Sequence, residues 1–486
     1  MKTKHILIAI AAAMVSATSC DKLLEVKNPS YIYGEGYWTT KNEVESYLTG
    51  TYTTFRTCCN SLENFEARGD EFEPGLEGGG SNQWAHNLTS LNGISWGSYY
   101  TVIQNCNMIL SNIDKADFSL KSDKNQILAE TYTIRAYMFF CLTRLWGDVP
   151  IETEATKGSA KPLPSRSSSA EAIDQVIKDL ETAIDLFPTD LWAKGKSRAS
   201  KPAAYALMAD TYLWKAKVLG GGDADLKEVI RYAELAAKGS ALETDFSDIY
   251  ENRNGQEVIW SIHFGYPEIS DNYSHFLTLR DVFVEKAVNK DEIPYAKSGA
   301  RSSYIPSERI REIFGKYKGD VRKDNAYVIA VDKDGNQLGI SQRKMPGTKT
   351  ETNVIFDNDI ILYRNAEMIL FKAEAYAALG DIESAVNELD KVRERSGIGK
   401  YTGPTDKTTI EKEILDERGR EFWLENKRWP DLLRFHYEGV INVYQYIPKL
   451  KARYDAGIAV PLYFAIPLSE LSLNHNLVQT EGYENL

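Results

Sequence analysis

Two helix pairs constrain this chain more than any other feature. In the first pair, Pro202 suits the opening turn of a helix, and Ala204, Leu207, Thr211, Trp214 and Val218 follow at steps of three and four. Gly220-Gly221-Gly222 breaks that helix, and a second runs from about Leu226 to Lys238. A later pair, about Tyr363–Leu379 and Ile382–Arg395, turns at Gly380-Asp381. A pair of this kind cannot bury its apolar face alone, so it must stack on neighbours.

The two pairs share a pattern. Ala209 and Tyr212 stand three apart, as do Ala373 and Tyr376; Gly380, Ala385 and Leu389 follow at tetratricopeptide offsets. Helical periodicity also covers about Lys41–Arg56, Trp96–Ile113, Lys124–Leu145 and Ala170–Phe187. Gly147 and Pro150 stop the third of these, and Pro188 stops the fourth. Between about Phe246 and Phe356 the period is lost. Glu257–Ile262 reads as a short strand there, as does Val328–Val331 before an Asp332–Asn336 turn. That turn is not a calcium loop, because Arg343 occupies the twelfth position where a carboxylate is needed. The predicted fold is mostly α, a tetratricopeptide-like helix-pair scaffold at about 37–245 and 357–437. A loop-rich insertion at about 246–356 carries short strands, and a C-terminal segment covers 438–486.

Residues 1–19 read as a secretory leader. Lys2 and Lys4 precede the apolar run Ile6–Val15, and the small residues Ser16-Ala17-Thr18-Ser19 lead to Cys20. The arrangement predicts a bacterial lipoprotein signal, with acylation of Cys20 as the membrane anchor. The other reading is an ordinary signal cleaved near Ala17. Losing the leader takes the net charge from −12 to −14, which argues against a nucleic-acid binder. Cys58, Cys59, Cys106 and Cys141 show no zinc spacing; they read as buried thiols or, for the vicinal pair, poor disulfide geometry. No metal or cofactor is expected.

Several motifs together give the chain a family look: Cys20–Val26, Tyr37-Trp38-Thr39-Thr40, Arg135-Ala136-Tyr137, Arg144–Pro150, Tyr363–Glu367, Lys372–Tyr376, Glu417–Phe422, Arg428–Leu432, Ile466-Pro467 and Asn474–Leu477. In this order the chain resembles the SusD/RagB family, surface nutrient-binding lipoproteins of Bacteroidetes. The resemblance implies a non-catalytic protein that captures oligosaccharides, or in some branches peptides. It also implies a partner, a SusC-like TonB-dependent outer-membrane transporter.

The chain holds 28 Tyr and 9 Trp against 6 His and 5 Cys. Flat amphipathic rings suit the apolar face of a sugar, and amides suit its hydroxyls. The expected ligand-binding residues are therefore Trp84 with Asn82 and Asn87, and Tyr266 with Asn272 and Tyr273; Tyr304 is a weaker candidate. Trp84 either stacks on a sugar or packs against its own loop. Asp70, Glu71, Glu73 and Glu77 nearby read as a solvated acidic loop. A glycosidase reading through Glu71 or Glu73 stands beside it, as does that of a purely structural adapter. Glu417, Arg418, Arg420, Glu421, Arg428, Asp431 and Arg434 read as structural ion pairs on one helical stretch, and Arg144 pairs with Asp148.

Overall fold

The computed structural model describes residues 37–156, 162–268, 271–294, 300–351, 353–458 and 460–483. The leader and Cys20 lie outside the described residues. The helices that build the scaffold are α1 (Lys41–Cys59), α2 (Gly97–Asn112), α3 (Lys121–Trp146), α4 (Ser169–Leu186), α5 (Lys201–Val218) and α6 (Asp223–Ala237). After α7 (Glu308–Gly315) come α8 (Asn365–Leu379), α9 (Ile382–Arg395), α10 (Lys407–Phe422) and α11 (Arg428–Tyr437). Each of α1 to α6 packs on the next, α6 packs on α8, and α8 packs on α9 and α10. The mostly α, helix-pair scaffold is thus what forms, and the insertion interrupts its sequence without interrupting its stacking.

Local chemistry sets the helix ends. Thr40 and Glu43 form a reciprocal cap on α1: the Thr40 hydroxyl accepts from Glu43 N at 3.3 Å, and Glu43 accepts from Thr40 N at 2.9 Å. Thr40→Ala should lower unfolding free energy by about 1 kcal/mol, read as a shifted urea midpoint at constant slope. At the end of α3, Gly147 has φ 74° and turns the chain toward α4. Asp148 therefore caps Ser169, accepting from its N at 2.8 Å and its hydroxyl at 3.0 Å. The expected Arg144–Asp148 pair does not form. Arg144 instead reaches Asp210 on α5 at 3.3 Å, while Arg135 grips Asp179 on α4 through two nitrogens at 2.8 and 2.7 Å.

The insertion is closed by strands. β1 (Phe72–Pro74) pairs antiparallel with β3 (Tyr304–Pro306), and β2 (Val258–Ile262) with β6 (Ile360–Arg364). β4 (Tyr327–Val331) and β5 (Gln337–Gln342) form a hairpin. Tyr363, expected in a helix, lies in β6, because the run Ile360–Tyr363 finds its partner in β2. Trp260 of β2 is fully buried and stacks on Phe55 of α1, 5.6 Å between centroids. Most of the tryptophan content is core of this kind: Trp146, Trp214, Trp260, Trp423 and Trp429 are all fully buried.

The charged motif is divided between α10 and α11, since Leu424 (φ 66°) and Asn426 (φ 61°) turn the chain between them. One helical stretch was expected; two helices share the motif. Its residues are buried and paired. Arg364 reaches Glu257 at 2.5 Å, Glu421 at 2.6 Å and Glu425 at 2.9 Å. Arg322 reaches Glu417 at 2.7 Å and Glu421 at 2.9 Å, and Arg395 also contacts Glu421. Arg434 holds Glu374 of α8 at 2.9 Å, and Arg418 holds Asp431 at 2.7 Å. These pairs join α8, α9, α10, β6 and the insertion, as a structural set should. No described helix is long and apolar enough to cross a membrane.

Candidate functional site

The loop after β1 places Trp84 on a short turn of helix, Asn82–Ala85, capped by the Ser81 hydroxyl accepting from Trp84 N at 3.1 Å. The indole is half-buried. Its Nε1 donates to Phe72 O at 2.8 Å, and the Lys449 ammonium sits 4.6 Å from the ring centroid. Lys449 in turn donates to Ala67 O at 2.8 Å. The ring therefore packs mainly on its own loop and a half-buried lysine. Asn82 and Asn87 keep exposed side chains on either side.

Of the four neighbouring acids, Asp70 and Glu71 are buried rather than solvated, while Glu73 and Glu77 stay partly exposed and pair with arginines of the insertion. Asp70 is buried against Arg428, with Oδ1 2.7 Å from Nε and Oδ2 2.9 Å from Nη2. Glu73 contacts Arg311 at 3.3 Å, and Glu77 contacts Arg280 at 2.5 Å. Glu71 is 1 % exposed and faces Glu66. Burial, with Glu66 beside it, pushes the Glu71 carboxyl well above the usual carboxylate range; burial pushes Glu66 up to about 7. Two carboxylates in one dry site hold a proton between them. Glu71 is closed to a glycosidic oxygen, which removes the geometric basis for its use as a hydrolytic acid.

The second loop follows β2. Tyr266 is 67 % exposed and free of ring contacts among the described residues. Its backbone N donates to Asp357 at 3.3 Å, fixing the turn beneath the ring. Asn272 and Tyr273 do not join it at the surface. Asn272 is fully buried; its Nδ2 donates to Asn358 O at 2.8 Å and its Oδ1 accepts from Ser274 N at 3.0 Å. Tyr273 is 1 % exposed and donates to Leu424 O at 3.1 Å. These two side chains anchor the loop instead of offering it to a ligand. Tyr304 is also buried, donating to Glu63 at 2.7 Å.

Residues that the sequence did not single out surround the Tyr266 loop. Arg56, near the end of α1, donates to His263 O at 3.0 Å and lies 3.5 Å from Glu268. His263 contacts Asp359 at 3.3 Å, and hydrogen bonding to that carboxylate holds the imidazole above its ordinary value. Arg56, Arg198 and His263 line a crevice of about 130 Å³. A larger cavity, about 550 Å³, opens elsewhere in the insertion, floored by Phe246, Tyr250 and Ile293. Its volume suits a small-molecule or oligomeric ligand. No described group of three or more His, Cys, Asp or Glu could hold a metal ion.

Comparison with known proteins adds two matching families. One, described as the SusD family, matches residues 315–483; the other, described as starch-binding and associating with the outer membrane, matches residues 24–213. SusD-like protein P38 of Formosa agariphila is 26% identical over 471 residues, spanning 89% of this chain and 91% of that protein. The starch-binding protein SusD of Bacteroides thetaiotaomicron is 36% identical over 132 residues, 26% of this chain and 22% of that protein. A SusD superfamily structure from Bacteroides fragilis superposes with a TM-score of 0.81 at 24% identity, covering 92% of this chain and 100% of that one. NanU of B. fragilis gives 0.78 at 24% identity, covering 94% and 100%. At these identities the structural likeness shows the fold.

Proposed function

The chain belongs to the SusD/RagB family, and from that membership we propose that it is a cell-surface, lipid-anchored binding protein. It captures oligosaccharides without cleaving them and delivers them to a SusC-like TonB-dependent outer-membrane transporter. The family is one of binding proteins, described as associating with the outer membrane. The lipid on Cys20 is the expected anchor. The observation that carries glycan capture is Tyr266, an exposed ring on a pinned loop in a molecule whose other rings are largely core. A ring held this way loses little freedom on stacking against a sugar face.

Isothermal titration against an oligosaccharide panel tests this reading. Tyr266→Ala should weaken the glycan that binds about tenfold, or about 1.4 kcal/mol. Trp84→Ala should change affinity less, since Phe72 and Lys449 already occupy much of that indole. Release of new reducing ends would overturn the non-catalytic assignment. A second reading, peptide capture, draws on the 550 Å³ cavity. Its rim carries Lys290, Arg343 and Lys349 with Glu251, Asp291 and Glu292, and none forms an ion pair with a described residue. Both charge signs over an aromatic floor suit a peptide; binding of peptides with no glycan bound would favour it.

A further inference from the structure

We infer that the crevice between α1 and the His263–Glu268 loop is a subsite for the anionic group of an acidic saccharide, a carboxylate or a sulfate. This rests on the glycan-binding reading above and narrows its ligand class. The argument begins with how arginines are held in this protein. Arg322, Arg364, Arg428 and Arg434 are each engaged by carboxylates at 2.9 Å or closer. Arg56 is different. Its side chain is 11 % exposed, yet its only carboxylate contact among the described residues is Glu268 at 3.5 Å, whose own side chain is 67 % exposed. Its Nε is buried with no hydrogen-bond partner. A buried guanidinium donor without an acceptor costs free energy until something supplies one.

Arg198 stands across the same crevice. It spends Nε on Glu130 at 2.6 Å and Nη2 on Glu45 at 3.1 Å; its Nη1 makes no hydrogen bond to a described residue. The Ser197 hydroxyl and the His263 ring complete the wall, and Glu268 is the one acid among the described lining residues. Two guanidiniums in planar fork geometry select carboxylate or sulfate oxygens. At about 130 Å³ the crevice has room for such a group. Tyr266, between His263 and Glu268 in the chain, is placed to take the ring. Glu268 acts as a loosely held stand-in for the incoming anion and swings to solvent when one binds. Asp359, 3.3 Å from His263 Nδ1, fixes the imidazole on the wall.

The test presents the purified protein to an array of oligogalacturonides, chondroitin sulfate oligosaccharides, and neutral malto- and xylo-oligosaccharides of matched length. At least one acidic class should bind, the uronate and sulfate arms deciding which anion is taken. Arg56→Gln should weaken that binding tenfold or more, and should have no further effect on the same saccharide after its carboxyl or sulfate groups are removed. Glu268→Gln, at an exposed position that leaves the fold intact, should strengthen acidic binding several-fold by removing the competitor. Binding confined to neutral saccharides, or acidic binding indifferent to both substitutions, overturns the subsite and leaves glycan capture standing. Failure of every saccharide on the array overturns both.

Discussion

Glu421→Gln should destabilise the folded protein by about 3–5 kcal/mol, a large fraction of what holds any domain together. Three guanidiniums converge on this one carboxylate, from Arg322, Arg364 and Arg395, and every partner is buried. Burial opposes ionisation there, yet Arg395, Arg364 and Arg322 together hold Glu421 well below the usual carboxylate range. Glutamine keeps the volume and removes the charge, so the three cations lose a shared counter-ion in a dry interior. Urea unfolding followed by tryptophan fluorescence reads the effect, since Trp423 and Trp429 lie on either side of the α10–α11 turn. A change under 1 kcal/mol would mean that the remaining acids carry the network without it. An exposed pair such as Lys451–Asp455, by contrast, should cost almost nothing to break.

The second large effect is one of pH. Burial raises Glu66 to about 7, above the ordinary value near 4.3 that it takes in an unfolded chain. Between those two values the folded state binds more protons than the unfolded one. The contribution is therefore fully present below the unfolded value and is lost as pH rises through about 7. Between pH 6 and 8 the loss from Glu66 alone is about 1.4 kcal/mol, and Glu71 adds to it in the same direction. Glu66→Gln retains an acceptor for Lys427 N, which Glu66 Oε1 takes at 3.2 Å. That variant should show a flatter stability profile over this window and exceed the native protein at pH 8. An equal slope in both proteins would assign the pH dependence elsewhere.

The scaffold was legible because helix ends are written in local chemistry. Thr40 with Glu43, Gly147 and Gly380 each act within a turn of their own position. Tyr363 was not legible in the same way. An apolar run of four or five residues fits strand or helix, and its partner β2 lies far away in the chain. Of the candidate binding residues, Tyr266 was readable as an aromatic beside Gly265 and Pro267. Asn272 and Tyr273 looked alike in sequence, but their fate depends on Asn358 and Leu424, which only the fold brings near. The burial of Asp70 was hidden for the same reason, since its partner Arg428 lies far away in the chain. Arg56 reads as one more polar residue on α1, and nothing local connects it to His263.

Helix α1 has a mechanical consequence. Its first turn receives the amino-terminal segment and its last turns carry Arg56, with about 22 Å of stiff rod between Lys41 and Arg56. Phe55 and Trp260 lock that rod to the body of the protein. Arg56, one residue beyond Phe55, is therefore held by the body of the protein, and the crevice wall it supplies keeps a fixed place against His263.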